Sequence, residues 1–324
     1  MRTALLFPAA RRAAVAAAGT AALAFAIALA AVLAPGNAAA QGAAPAAKPA
    51  TERRTMGWPL DADGALKVYN FSGRVVVTGW DRDSVAAVAT LPAGHTLLGG
   101  GGRGGIKVVV EAGGAARGAP STLELRVPAG ANVWVRGGAT DVEVHGLIGP
   151  LDVGTVNGNV RVSGSPRTLT AESMTGTVDV EASCETLRAK TGSGALTWRG
   201  SAADAQLSSV SGPVRVSAGP IERARVETVT GAVTVSSALR SDARLTIETH
   251  AGDVELRFPA RTPVRLDADA ATVRGPGMAP VARAPDGRLT APHVWEFNIP
   301  RGAGAASAVV VRSFSGTLAL GFTP

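Results

Sequence analysis

"SMTGTVDVEA", residues 173–182, decides the fold. Gly176 sits in a turn. Val178 and Val180 then alternate with Thr177, Asp179 and Glu181, the period of a strand with one dry and one wet face. The unit returns as "TVNGNVRVSG" (155–164), "KTGSGALTWRG" (190–200), "SVSGPVRVSA" (209–218), "TVTGAVTVSS" (228–237) and "THAGDVELRF" (249–258). The glycines before these strands, Gly158, Gly176, Gly194, Gly212, Gly231 and Gly252, stand 18, 18, 18, 19 and 21 residues apart. A period in this range is the mark of a repeat architecture.

Each period holds a second alternating segment. Leu151/Val153, Leu169/Ala171 and Leu187/Ala189 precede Val160/Val162, Val178/Val180 and Leu196/Trp198, and the pattern continues to Leu245/Ile247 before Val254/Leu256. A meander of antiparallel strands does not require its turns to be of equal length. A solenoid does, because an insertion disturbs every stacked ladder. The constant step therefore predicts an all-β parallel β-solenoid, a β-helix of about 18 residues per coil, regular over about 131–260, with less regular β caps at both ends. Val160, Val178, Val214, Val233 and Val254 are expected in one inward column. The outward residues of the same strands read Glu143, Arg161, Asp179, Thr197, Arg215, Thr234 and Glu255, with no like charges adjacent. On the other wall Glu227 and Glu248 would adjoin, which is unfavourable. The repeated glycine is expected to take a corner at positive φ.

The flanks are less regular. "LKVYNFSGRVVVTGWD" (66–81) and "AVVVRSFSGTLALGF" (308–322) carry the same strand–Ser–Gly–strand form around Gly73 and Gly316, the latter expected to close the stack. "AGHTLLGGGGRGG" (93–105) reads as a mobile hairpin loop and not a phosphate cradle, since a strand and not a helix follows it.

Residues 1–40 have a basic start, an apolar run and small residues before Gln41, the pattern of a signal peptide cleaved after Ala40. Uncleaved, the run is long enough to anchor the chain in a membrane. Residues 41–55 read as a flexible leader, leaving 56–324 as a single β-repeat domain. Loss of Arg2, Arg11 and Arg12 lowers the net charge from +7 to +4. With no run of Lys or Arg and a single Tyr, the chain lacks the cationic face and stacking aromatics of a nucleic-acid binder. Cys184, the single cysteine, excludes an internal disulfide and reads as a small half-buried residue in a turn.

The recurring Ser-Gly-x-Val-x-Val unit behind an export segment resembles a bacterial adhesin-like family of β-strand-repeat proteins of unknown function, over roughly residues 66–322. The resemblance implies a solenoid-like fold and a cell-envelope role, and it brings no catalytic residues.

No catalytic, cofactor-binding or metal-binding residue is expected. His95, His145, His250 and His293 follow no ligand spacing, and the turns lack the periodic Asp of calcium-binding repeats. The alternative class is a carbohydrate-active β-helix enzyme, a polysaccharide lyase or hydrolase. Its candidate carboxylates are Asp141, Glu143, Asp179 and Glu181, but two coils of ~10 Å separate Glu143 from Asp179, with Arg161 between. The favoured reading is an exported noncatalytic binding or scaffold module, periplasmic or at the cell surface, whose partner is a glycan, an envelope polymer or a protein. Trp134 is the candidate surface contact if the N-terminal part does not pack over it.

Overall fold

The Val-x-Val strands pair in parallel, each with its counterpart one period away. In the computed structural model, which describes residues 51–113, 118–278, 294–299 and 306–324, Val160 pairs with Val178, Val178 with Leu196, and Leu196 with Val214. Val214 then pairs with Val233, and Val233 with Val254. All are at most 1% exposed. The described residues form twenty-two strands, β1 (Thr51–Pro59) to β22 (Thr317–Thr323), and no helix. They lie within one unit, Lys48–Pro324. The expected signal segment and residues 41–50 of the expected leader lie outside the described residues.

Two walls run through the stack. The first holds the Val-x-Val strands. The second pairs Val133 with Leu151, Leu151 with Leu169, Leu169 with Leu187, Leu187 with Ala205, Ala205 with Ala224, and Ala224 with Leu245. Both walls turn their apolar residues into one continuous core. Each fully buried Val or Leu contributes roughly 1.5–3 kcal/mol, repeated at every level.

The corner between the walls explains the glycine, and the reason differs from the expected one. Gly158, Gly176, Gly194, Gly212, Gly231 and Gly252 do not have positive φ. They are required by close approach. A Cβ on Gly176 would lie 1.9 Å from the carbonyl oxygen of Gly158, and one on Gly194 would lie 2.0 Å from that of Gly176. The carbonyls of successive coils thus point into the space that a side chain would fill.

Three residues before each of these glycines stands a buried hydroxyl: Thr155, Ser173, Thr191, Ser209, Thr228 and Thr249. Ser173 Oγ donates to Gly158 O (2.8 Å) and accepts from Gly176 N (2.9 Å). Thr228 and Thr249 accept from Gly231 N (2.9 Å) and Gly252 N (2.8 Å). These hydroxyls satisfy backbone groups that the sharp corner removes from the strand ladders.

The ends of the stack are not in sequence order. In the first wall, β2 (Ala65–Trp80) lies between β6 (Ser121–Pro128) and β7 (Asn132–Leu147), so that Val75 pairs with both Leu123 and Val142. At the other end β22 lies between β17 (Val254–Pro259) and β19 (Thr272–Arg274). The Gly316 segment therefore does not close the stack; it sits one level in from the end. Antiparallel strands cover three of the four parallel edges among the described residues. β3 (Ser84–Pro92) pairs with β6, β4 (His95–Gly102) with β5 (Gly105–Ala112), and β20 (Val294–Phe297) with β18 (Val264–Asp269).

Two expectations are corrected here. The last five residues of the expected leader, 51–55, belong to β1, which pairs antiparallel with β3 over its whole length. The glycine run is strand β4 and not a loop. Gly99 is needed because a Cβ there would lie 2.1 Å from the ring of Trp58.

Gly176→Ala is expected to destabilise the protein by about 3 kcal/mol, because the obstructing atom is backbone and cannot rotate away. Gly100→Ala, with nothing within 4 Å of its Cβ position, should change stability by less than about 0.5 kcal/mol. Urea unfolding of the two variants checks this, and equal midpoints would contradict the close-approach account.

Candidate functional site

The stack turns each outward position into a file of residues one rung, ~4.8 Å, apart. Three files bear on function.

The first runs along the Val-x-Val wall and holds the carboxylates considered for catalysis. Glu143 is paired with Arg74 (2.7 Å) and lies 3.8 Å from Arg161. Asp179 lies 3.9 Å from Arg161 and is paired with Arg199 (3.0 Å). Arg161 thus bridges the two. The Glu143 contact, by hydrogen bond and charge, raises the pKa of Arg74 above its ordinary value. Asp141 accepts from the backbone N–H of Asn159 (2.8 Å), one coil further on, so it serves the stack. These groups form an ion-pair and hydrogen-bond ladder on a solvated wall. On the other wall, Glu227 and Glu248 are indeed in register. Arg225 relieves the repulsion by bonding to both, at 2.9 Å for Glu248.

The second file lies at the corner, one residue past each buried hydroxyl or, at the first two levels, past Asn70 and Gly137. It reads Phe71, Gly138, Val156, Met174, Gly192, Val210, Val229, His250 and Phe314. Backbone bonds tie it together, such as Met174 N to Val156 O (3.1 Å) and Val210 N to Gly192 O (3.1 Å). Phe71, Met174 and Phe314 are 64%, 65% and 68% exposed, and Val156, Val210 and Val229 are exposed too. The His250 and Phe314 rings stack at 5.0 Å. The next file, Ser72, Ala139, Asn157, Thr175, Ser193, Ser211, Thr230, Ala251 and Ser315, is small and polar. Neither file contains Asp, Glu, Lys or Arg, in a chain that is 18% charged. Around Met174 and Gly192 the corner borders a groove of about 540 Å³, lined also by Arg136, Glu172 and Lys190.

The third group surrounds Trp134. The ring is half-buried, and its Nε1 donates to Asp152 (2.8 Å). Lys67 and Arg136 lie 5.5 and 4.4 Å from its centre, and Tyr69 meets it edge-on at 6.4 Å. Lys67 and Tyr69 belong to β2, so the N-terminal part does pack beside Trp134.

The histidines do not assemble. His145 meets Ser163 and His250 meets Phe314, while His293 lies outside the described residues. No group of three His, Cys, Asp or Glu among the described residues is arranged to hold a metal ion.

A family profile covering residues 113–284 matches the chain. The chain belongs to the Toastrack DUF4097 family. Solved structures similar to this Toastrack chain include a "putative adhesin" from Bacteroides fragilis, 10% identical, TM-score 0.43, covering 85% of this chain and 99% of that one. Another "putative adhesin", from Parabacteroides merdae, is 11% identical with TM-score 0.49, covering 83% and 96%. A "putative lipid binding protein" from Parabacteroides distasonis is 10% identical with TM-score 0.47, covering 82% and 96%. No curated protein matches the chain.

Sequence reading placed Trp134 on the outer wall but passed over the buried hydroxyls, the corner file and Lys67 with Tyr69. The Ser/Thr-x-x-Gly spacing was a usable signal for the first two, since the exposed residue directly follows the hydroxyl. Cys184, expected in a turn, lies within strand β11 (Val178–Thr191) of the Toastrack stack, in register with Ala202. Burial pushes its thiol up to about 11. Because the thiolate is the reactive form, alkylation by iodoacetamide should be slow at pH 8 and should rise with pH through that value. A rate profile that already levels off near pH 9 would contradict the burial.

Proposed function

We propose that this chain is an exported, noncatalytic binding or scaffold module of the cell envelope, adhesin-like, built as a parallel β-solenoid of about 18 residues per coil with β caps. The observation that carries the reading is the uncharged corner. Stacking does not require large apolar side chains there, because Gly138, Gly192 and His250 occupy the same file. Yet Phe71, Val156, Met174, Val210, Val229 and Phe314 are held in water. An exposed, uncharged file rich in apolar side chains marks an interaction surface. Evenly spaced files suit many weak contacts with an extended or repeating partner, which add through effective concentration. Asp141, Glu143 and Asp179 do line one groove of about 400 Å³, but Arg161 stands between Glu143 and Asp179 and arginines engage both, which disfavours the lyase or hydrolase alternative.

A binding screen of the mature protein against glycans and envelope extract, run beside a polysaccharide-cleavage assay, tests the reading. Saturable binding without turnover is expected. Met174→Lys with Val210→Lys should weaken it about tenfold while moving the melting temperature by less than about 2 °C. Cleavage that disappears in Asp179→Asn or Glu143→Gln would overturn the noncatalytic reading.

Export has its own measurement. The N-terminus of the protein purified from its native host should begin near Gln41. Recovery of intact Met1 in the membrane fraction would show a retained anchor instead.

A further inference from the structure

We propose that the wall around Tyr69 and Trp134 binds an acidic polysaccharide, an oxyanion-bearing pyranose polymer, through Lys67 and Lys107. This rests on the binding-module reading and names a ligand class for one of its faces.

Lys107, Lys67, Trp134 and Asp152 lie in register on neighbouring parallel strands. Two residues along, Tyr69 is in register with Arg136. Asp152 is already committed. It accepts from Trp134 Nε1 (2.8 Å) and from both terminal nitrogens of Arg136 (3.0 and 2.9 Å). The two lysines have no such partner: neither has a carboxylate within 4.0 Å among the described residues. Two like charges directly opposite on paired strands repel. The stack does not demand them, because further along the same file it accepts Thr170 and Gln206.

What holds the lysines is aromatic. Lys107 Nζ lies 5.1 Å from the centre of Tyr69, and Lys67 Nζ lies 5.5 Å from that of Trp134. Ring faces attract cations without neutralising them, so the pair stays available as a twin ammonium site. A carboxylate or sulfate seated between the lysines would relieve their repulsion. The same sugar would pack its C–H groups against the half-buried Tyr69 ring, which meets Trp134 edge-on, and against apolar Val109, in register with Tyr69. A nucleic acid is disfavoured by number. Two unpaired cations neutralise about two phosphates, too few for appreciable backbone-driven affinity at physiological salt.

The test titrates polygalacturonate, dextran sulfate and neutral dextran into the mature full-length protein, and into Lys67→Ala/Lys107→Ala, Lys67→Arg/Lys107→Arg and Tyr69→Ala variants. Polygalacturonate or dextran sulfate should bind saturably, the two arms separating carboxylate from sulfate, and neutral dextran should not. The alanine pair should lose about tenfold or more in affinity, the arginine pair less than about threefold, and Tyr69→Ala about fivefold. Both lysines are exposed, so the alanine pair should melt within about 2 °C of the parent. The assignment is overturned if neither acidic polymer binds, if neutral dextran binds equally, or if the alanine pair retains full affinity. Binding of duplex DNA or phosphatidylglycerol vesicles in place of the acidic glycans would overturn it as well. Envelope-extract binding by a protein that binds neither acidic polymer would remove this assignment while leaving the binding-module reading intact.

Discussion

The close approach of one coil to the next at the glycine corner is the constraint on which the structure depends. Each corner glycine leaves room for the carbonyl of the coil before it, to within about 2 Å of where a Cβ would stand. That contact places the corner at the same point in every coil. The Val-x-Val strands then begin in register, and the two apolar columns follow. The buried hydroxyl three residues upstream completes the corner by bonding to backbone on both coils. One level shows that the pair acts as a unit. Gly137 stands where Thr155 stands in the next coil, and Thr140 stands where Gly158 does. A Cβ on Gly137 would lie 2.7 Å from that of Thr140. The order is reversed, but each level still has one side chain and one vacancy, and Thr140 Oγ1 still donates to backbone, at Asn70 O (2.8 Å).

Once the corner is fixed, the outside of the molecule is organised by files. A file carries one residue per level. Many of the charges pair along the file or with its neighbour, as in the run from Arg74 through Glu143, Arg161 and Asp179 to Arg199. Such exposed pairs contribute little each, and their main effect is to avoid repulsion between levels. The same geometry favours an extended partner, because a rigid file presents equal contacts at equal spacing.

The regular part of the fold was legible because burial and period act on the same residues. Val160, Val178 and Val214 must all be apolar to share a dry column, and the 18-residue step follows from their stacking. The cause of the glycines was not legible. Positive φ and close backbone approach both exclude a Cβ, so they leave the same letter in the sequence. The glycine run at 99–102 misled for a related reason, since Gly99 is small to admit Trp58 and not to form a loop. Trp134 was identifiable as an outward residue, yet its neighbours were not. Lys67, 67 positions earlier in the chain, reaches it because β2 is threaded beside β7, and no local pattern encodes that pairing. The corner file was written in the sequence, but single exposed apolar residues 18 or more positions apart look incidental until the stack aligns them.

The threading at the ends completes the logic. A solenoid whose first and last coils were its chain ends would expose parallel edges and could fray one coil at a time. Here the repeat-like coil nearest each terminus, around Gly73 and Gly316, is paired on both sides. Releasing either one requires breaking two ladders at once. Among the described residues three of the four outer edges beyond them fall to antiparallel strands, which can turn back on themselves and need no further coil. The twin-lysine patch stands on this doubly held β2, with Lys67 fixed between Lys107 and Trp134. The end of the stack that departs most from the repeat is therefore where its most distinctive surface chemistry can be held in place.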